Sequence, residues 1–456
     1  MTNVIAVRRL LARAAVLISL AGIGSGLAKG EEGRGFPIAS PESQGISAAA
    51  LHRLAAEVDG YVKAGAVVGG ELLVIKNRRT VLHEVFGYRD RDQKLPMDRN
   101  TIFNVRSMTK PITGMAVQML AEEGKIRLED PVARYLPAFD NPKSGAITIR
   151  QLLEHRSGLP LSILKRLDEY TSLQDQAAAV GARGPQFEPD VKFWYSDAGS
   201  DAAAAIVEKV MGLTIDRFVT ERILQPLGMA DSFYPSKADD PRKTRIATLY
   251  TGMPGHWSTA WKPGGAPLYP FAWGSQTLYS TPADYARFLA LWLDSGKVDG
   301  KRLLSKDALA RILTPVSRMT ILGTDAPYPT GFEGLSIWYG QMSMLYVAGE
   351  APVPGKVVVI GHGGSDGTTA LAFPAEDLIV CYFTQSRGQN TTIRLETMIQ
   401  ENLMRGKVAA AAVPDNLRIP WVSEFHQPMR GVAYLFRYRG PNSDVPGRVR
   451  VRIQSL

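Results

Sequence analysis

A chain of 456 residues with one cysteine, Cys381, can form no internal disulfide and cannot hold a metal on thiolates. Cys381 lies in the apolar run 378–383, which predicts a buried strand thiol and not a reactive one. Histidine is scarce as well. The six (His52, His83, His155, His256, His362 and His426) are scattered with no H-E-x-x-H spacing, so no metal site is expected. No P-loop or dinucleotide glycine pattern falls between a strand and a helix, and no cofactor is expected. Long apolar runs are missing too. The apolar stretch 14–23 is too short to span a membrane. It follows Arg8, Arg9 and Arg13 and precedes Gly26-Leu-Ala28, the pattern of a cleaved export signal over 1–28. The chain is therefore expected to be exported, periplasmic or secreted, with no stable membrane span after signal removal. Whether the Arg8-Arg9 pair makes this a twin-arginine signal stays open.

A strong charge of one sign is absent from the body. The net charge is +9. The leader contributes three positives, and residues 407–456 carry eight basic against three acidic residues. What lies between is close to neutral, which argues against a nucleic-acid partner. Apolar content of 45% and charge of 21% are ordinary for a globular chain, of one large domain or two intertwined ones.

What is present is organised around Asn104 to Leu120. Ile112, Met115, Ala116, Met119 and Leu120 recur at helical spacing, which predicts a helix with one buried face. Pro111 sits near its start and Gly124 stops it. Ser107 and Lys110 then share the first turn, three residues apart on one face. A hydroxyl beside an ammonium at a helix start is a candidate activated nucleophile. Ser-x-x-Lys is short, and it recurs at Ser162-Ile-Leu-Lys165, so its weight comes from what surrounds it. Before it, Ser47 caps a predicted helix to about residue 64, and runs 67–75 and 80–87 form a hairpin around Asn77. After it comes a helical stretch with Pro and Gly breaks to about residue 261, then a helix begun by Thr281-Pro-Ala-Asp284. Strands are expected at 356–360, 368–373 and 378–384, then a helix over 391–404. The fold class is α/β (α+β): an antiparallel sheet flanked by N- and C-terminal helices, with an all-helical domain inserted at about 105–270. The main domain is read as 29–406. Residues 407–456 are an extension of unknown role, with possible strands at 431–439 and 447–453.

Three further segments bear on Ser107. Tyr195, in Phe193-Trp-Tyr-Ser-Asp197, is a candidate general base, because a nearby ammonium favours phenolate. Gly361-His-Gly-Gly-Ser-Asp-Gly367 follows a predicted strand and can present backbone N–H groups to an oxyanion. His155, at a helix end, is read as structural. Trp194, Trp257, Trp261 and Trp273 either line an apolar cleft or pack within the helical domain. Gly363-Gly-Ser-Asp-Gly367 also matches the G-x-S-x-G nucleophile elbow, but that elbow needs a helix after the serine, and a strand is expected here.

Ser107-Met-Thr-Lys110, Tyr195-Ser-Asp197 and His362-Gly-Gly364, in this order, resemble the three motifs of the serine β-lactamase and penicillin-binding-protein superfamily. Leu152-Leu-Glu-His-Arg-Ser-Gly-Leu159, Gln225-Pro-Leu-Gly-Met229 and Ser280-Thr-Pro-Ala-Asp-Tyr285 resemble it too. The likeness covers about 46–404 and is closest to class C β-lactamases and family VIII carboxylesterases. It implies a β-lactamase/transpeptidase-like fold in which Ser107 is acylated, Lys110 assists and Tyr195 is base and then acid. Backbone N–H groups of Ser107 and Ser365 would form the oxyanion hole. His362, Gly363, Gly364 and Asp197 would contact substrate. Two departures bear on substrate. The third motif is usually Lys-Thr-Gly, and neutral His and Gly hold a carboxylate less well. Asp197 stands where Asn is usual. The expectation is a serine hydrolase of neutral esters that takes small-molecule ester or amide substrates. A β-lactamase or D-aminoacyl peptidase, and a non-catalytic cell-wall-peptide binder or scaffold, are the alternatives.

Overall fold

The computed structural model describes residues 35–234, 240–349, 354–388 and 393–404, with the backbone of 436–438 and 447–449. Residues 1–28, where an export signal is expected, and most of 407–456 lie outside the described residues. Within the extension, Phe436–Tyr438 and Gly447–Val449 pair as antiparallel strands.

Helix α1 (Ala48–Lys63) begins where Ser47 Oγ accepts from Ala50 N at 3.3 Å. It buries Leu51, Leu54 and Val58, each contributing about 1.5–3 kcal/mol of hydrophobic burial. Strands β1 (Gly69–Lys76) and β2 (Arg79–Asp90) turn through Asn77 and Arg78. Both turn residues have positive φ, 51° and 58°, matching a two-residue hairpin turn. Next come β3 (Leu95–Pro96), β4 (Ser317–Arg318), β5 (Leu335–Tyr339), β6 (Met344–Ala348), β7 (Val357–Gly363), β8 (Thr369–Phe373) and β9 (Leu378–Phe383). They form one nine-stranded sheet in the order β4-β5-β6-β7-β8-β9-β1-β2-β3, with every neighbouring pair antiparallel. β4 to β9 form a meander, and the early hairpin joins its end, with Leu73 opposite Cys381. The chain must therefore leave the sheet after β3 and return at β4, and most of the helices lie in that excursion.

The excursion holds α2 (Thr109–Glu122), α3 (Ile149–Leu153), α4 (Leu173–Arg183), α5 (Asp197–Met211), α6 (Ile215–Val219), α7 (Pro282–Leu293) and α8 (Lys306–Leu313). One core cluster joins α2, α5 and α7 to one sheet face; Leu73, Ala370 and Cys381 belong to it. A second covers the other face, under α1 and α9 (Leu395–Leu403). There Asn402 Nδ2 donates to Glu57 Oε1 at 2.9 Å.

Two expectations change. Every residue of α2 from Thr109 to Leu120 is buried, not one face only. The polar residues on its far side are paired inside the protein: Thr113 Oγ1 donates to Gly274 O at 2.7 Å, and Gln118 bonds the Gln341 side chain. A helix enclosed all round needs such partners. Residues 249–261 are a β-hairpin, Leu249–Met253 with His256–Trp261, turning at Pro254-Gly255. β4, β5 and β6 were not anticipated.

Candidate active site

Ser107 lies in a tight 3-10 turn, Arg106–Met108, just ahead of α2. Lys110, one turn on, has no exposed surface. Its Nζ donates to Ser107 Oγ at 3.2 Å, to Asp197 Oδ1 at 2.5 Å and to Ser275 O at 3.2 Å. All three ammonium hydrogens thus have acceptors, and the cation is aimed at the hydroxyl. The second Asp197 oxygen accepts from the Gln276 amide. Asp197 is the first residue of α5, where the helix dipole favours a negative charge. One turn further, Asp201 accepts from Ser275 N at 2.9 Å and from Gln176 Nε2 at 2.8 Å. Burial, and then the charge of Asp197, push its carboxyl up to about 7.

Tyr195 is 3% exposed, and its ring centroid lies 4.7 Å from Lys110 Nζ. His155 packs 4.4 Å from the Tyr195 ring and accepts from Ser196 N at 3.2 Å. Burial first, and the Lys110 charge second, hold the His155 imidazole neutral. It is thus the structural histidine expected, and it walls in Tyr195. His362 is also buried. Tyr339 Oη pairs with its Nε2 at 3.1 Å, and its Nδ1 with Gly363 O at 2.7 Å. A carbonyl only accepts, so Nδ1 carries the proton and Nε2 accepts from Tyr339. Burial and Lys110 lower the His362 pKa to about 3. The ring lies 6.3 Å from that of Tyr195, but both nitrogens are spent on the protein. Tyr339, on β5, was missed because nothing local marks it: its partners lie at His362 and His155, far along the chain.

Gly363 ends β7, and the loop after it folds back to β8. Gly364 N donates to Thr368 O at 2.7 Å, and Gly367 N to Gly364 O at 2.9 Å. A Cβ on Gly364 would lie 2.5 Å from Val105 O, so this loop rests on the segment leading into Ser107. Ser107, Lys110, Tyr195, Asp197 and the His362–Ser365 loop are therefore brought together. The elbow alternative fails on its local geometry, because a strand, β8, follows Ser365. Ser162 and Lys165 are exposed, and Ser162 Oγ accepts from Leu164 N. Trp273 is buried 5.0 Å from Tyr269, and Trp257 packs with Val68 and Tyr250. Among the described residues no group of three or more metal-binding side chains occurs, and no helix is long and apolar enough to cross a membrane.

An antiparallel sheet carrying a large helical excursion, with Ser-x-x-Lys at the junction, defines a β-lactamase-type fold. The chain belongs to the Beta-lactamase family, whose model matches residues 54–400. Protein Rv1367c of Mycobacterium tuberculosis is 30% identical over 356 residues, spanning 71% of this chain and 86% of its own. EstCE1, described as a hydrolase with promiscuous acyltransferase activity, superposes with a TM-score of 0.64 at 21% identity, covering 78% of this chain and 98% of its own. The octameric penicillin-binding protein homologue from Pyrococcus abyssi gives a TM-score of 0.63 at 22% identity, covering 78% of each chain.

Proposed function

We propose that the protein is a serine hydrolase that cleaves carboxylic esters through an acyl-enzyme on Ser107. The observation that carries this is one buried ammonium, Lys110, placed 3.2 Å from Ser107 Oγ and 4.7 Å from the Tyr195 ring. Tyr195 takes the Ser107 proton as Oγ attacks the ester carbonyl carbon. The negative charge that develops on the carbonyl oxygen is met by Ser107 N–H and Ser365 N–H. Collapse expels the alcohol, which takes the proton back from Tyr195. Water then attacks the acyl-enzyme by the same route, releasing the acid and restoring Ser107. Neutral esters fit a pocket edge where His362 carries no charge and Gly363 and Gly364 offer only backbone. The acyl-transfer chemistry ascribed to EstCE1 is of this kind and supports the reading. The export signal expected over 1–28 would put this work outside the cytoplasm.

The test is turnover of p-nitrophenyl acetate and butyrate against nitrocefin, with fluorophosphonate labelling, in wild type, Ser107→Ala and Ser365→Ala. Ester turnover and labelling should fall at least about 10³-fold in Ser107→Ala. Ser365 acts through its backbone, so Ser365→Ala should keep most activity. Loss in Ser365→Ala alone would overturn the Ser107 assignment. Fast nitrocefin turnover would replace the ester reading with a β-lactamase.

A further inference from the structure

We propose that Arg106 and Asp366 form a positioning clamp that fixes the spacing of the two oxyanion donors, Ser107 N–H and Ser365 N–H. The inference rests on the hydrolase reading above and adds two residues that lie outside the three motifs at Ser107–Lys110, Tyr195–Asp197 and His362–Gly364. Arg106 shares a peptide bond with Ser107, and Asp366 shares one with Ser365. Arg106 Nε donates to Asp366 Oδ2 at 2.5 Å, with Asp366 fully buried and Arg106 4% exposed. A side-chain bridge therefore joins the two backbone segments one residue away from each donor. Arg387 Nη1 lies 3.8 Å from the other Asp366 oxygen, so losing Arg106 leaves Asp366 only this looser partner, and losing Asp366 leaves the buried Arg106 without a carboxylate.

Three observations say this bridge is built and not incidental. Arg106 has φ +49°, a left-handed conformation sparsely used by long side chains. Its surroundings hold it there: its N–H bonds Asn104 Oδ1 at 2.8 Å, and its guanidinium bonds the Tyr269 hydroxyl as well as Asp366. Next, the same two segments are stitched beside it. Thr368 Oγ1 donates to Val105 O at 3.4 Å, and Gly364 approaches Val105 too closely for any Cβ. Last, Tyr269 packs on Trp273, and the following residues bond the lysine helix through Gly274 O to Thr113 and Ser275 O to Lys110. One segment thus braces both the clamp and the ammonium. The chemistry needs this stiffness, since oxyanion donors act only about 2.7–3.1 Å from the charge they stabilise.

The experiment measures kcat and KM for p-nitrophenyl butyrate, and inhibition by an alkylboronic acid, in Asp366→Asn, Arg106→Gln, Arg106→Lys and the double Arg106→Gln/Asp366→Asn variant. Each single change to a neutral residue should lower kcat about 10–100-fold, the scale of a displaced donor. KM should stay within about twofold, boronate affinity should fall with kcat, and the double variant should be no worse than its worse parent. Arg106→Lys should recover part of the loss. Hydrogen exchange over 363–368 should rise in Asp366→Asn, and this readout needs no substrate. Unchanged kcat and exchange, multiplying effects, or a loss confined to KM would each overturn the clamp. If Arg106→Gln does not fold, the isosteric Asp366→Asn decides alone. A folded wild type inert towards esters overturns the hydrolase reading instead, and exchange then judges the clamp.

Discussion

Asp201 shows how one residue can set a pH dependence. Its folded carboxyl titrates near 7, raised by burial and by Asp197 from an ordinary 3.8. A raised acid binds its proton more tightly in the folded chain than in the unfolded one. Its contribution is therefore full below the unfolded value and is lost as pH climbs towards 7. Gln176 Oε1, buried without a hydrogen-bond partner among the described residues, suits a protonated Asp201 once its amide turns over. Asp201→Asn mimics the protonated form. Relative to wild type it should gain more thermal stability at pH 8 than at pH 5, in melting curves at both. An equal effect at the two pH values would place the titration elsewhere.

The start of α5 shows the same economy at the scale of an element. Ser196 Oγ accepts from Gly199 N at 2.8 Å and donates to Pro160 O at 2.7 Å, while its N–H reaches His155. One cap thereby fixes the residues on both sides, Tyr195 and Asp197. Ser196→Ala should cost about 1–2 kcal/mol in urea unfolding, the usual cost of a lost cap, and should slow Ser107 acylation as well. A stability loss with unchanged acylation would show that Tyr195 is held by its aromatic neighbours instead. At this scale the sequence was legible where the signal is local. The caps at Ser47 and Thr281 and the turn at Asn77 appear as read, and a helix does follow Ser107, though it is enclosed on all sides. It was illegible at β4–β6, short or fully buried strands without an alternating pattern.

For the whole molecule, the sheet spans both ends of the described core while the reactive groups gather where the helical excursion leaves and rejoins it. Everything the proposed chemistry uses lies between Arg106 and Asp366, and α9 closes the core on α1 through Asn402 and Glu57. A chain ending at Gly406 should therefore keep its fluorophosphonate labelling rate within about twofold. A much larger fall would bring part of 407–456 into the site.

The sequence by itself determined what depends on short separations. Helical spacing put Lys110 beside Ser107. Motif order then identified the family and its sheet. Only the tertiary structure decided what those groups face. Asp197, 87 residues from Lys110, closes on it at 2.5 Å. Tyr339 takes up His362, so the third motif carries no free imidazole nitrogen to offer a substrate. Arg106 meets Asp366 across 260 residues. The reason is physical. Spacing along a helix is fixed by local backbone geometry, whereas the partner of a buried charge is chosen by the packing of distant segments, which no local pattern encodes.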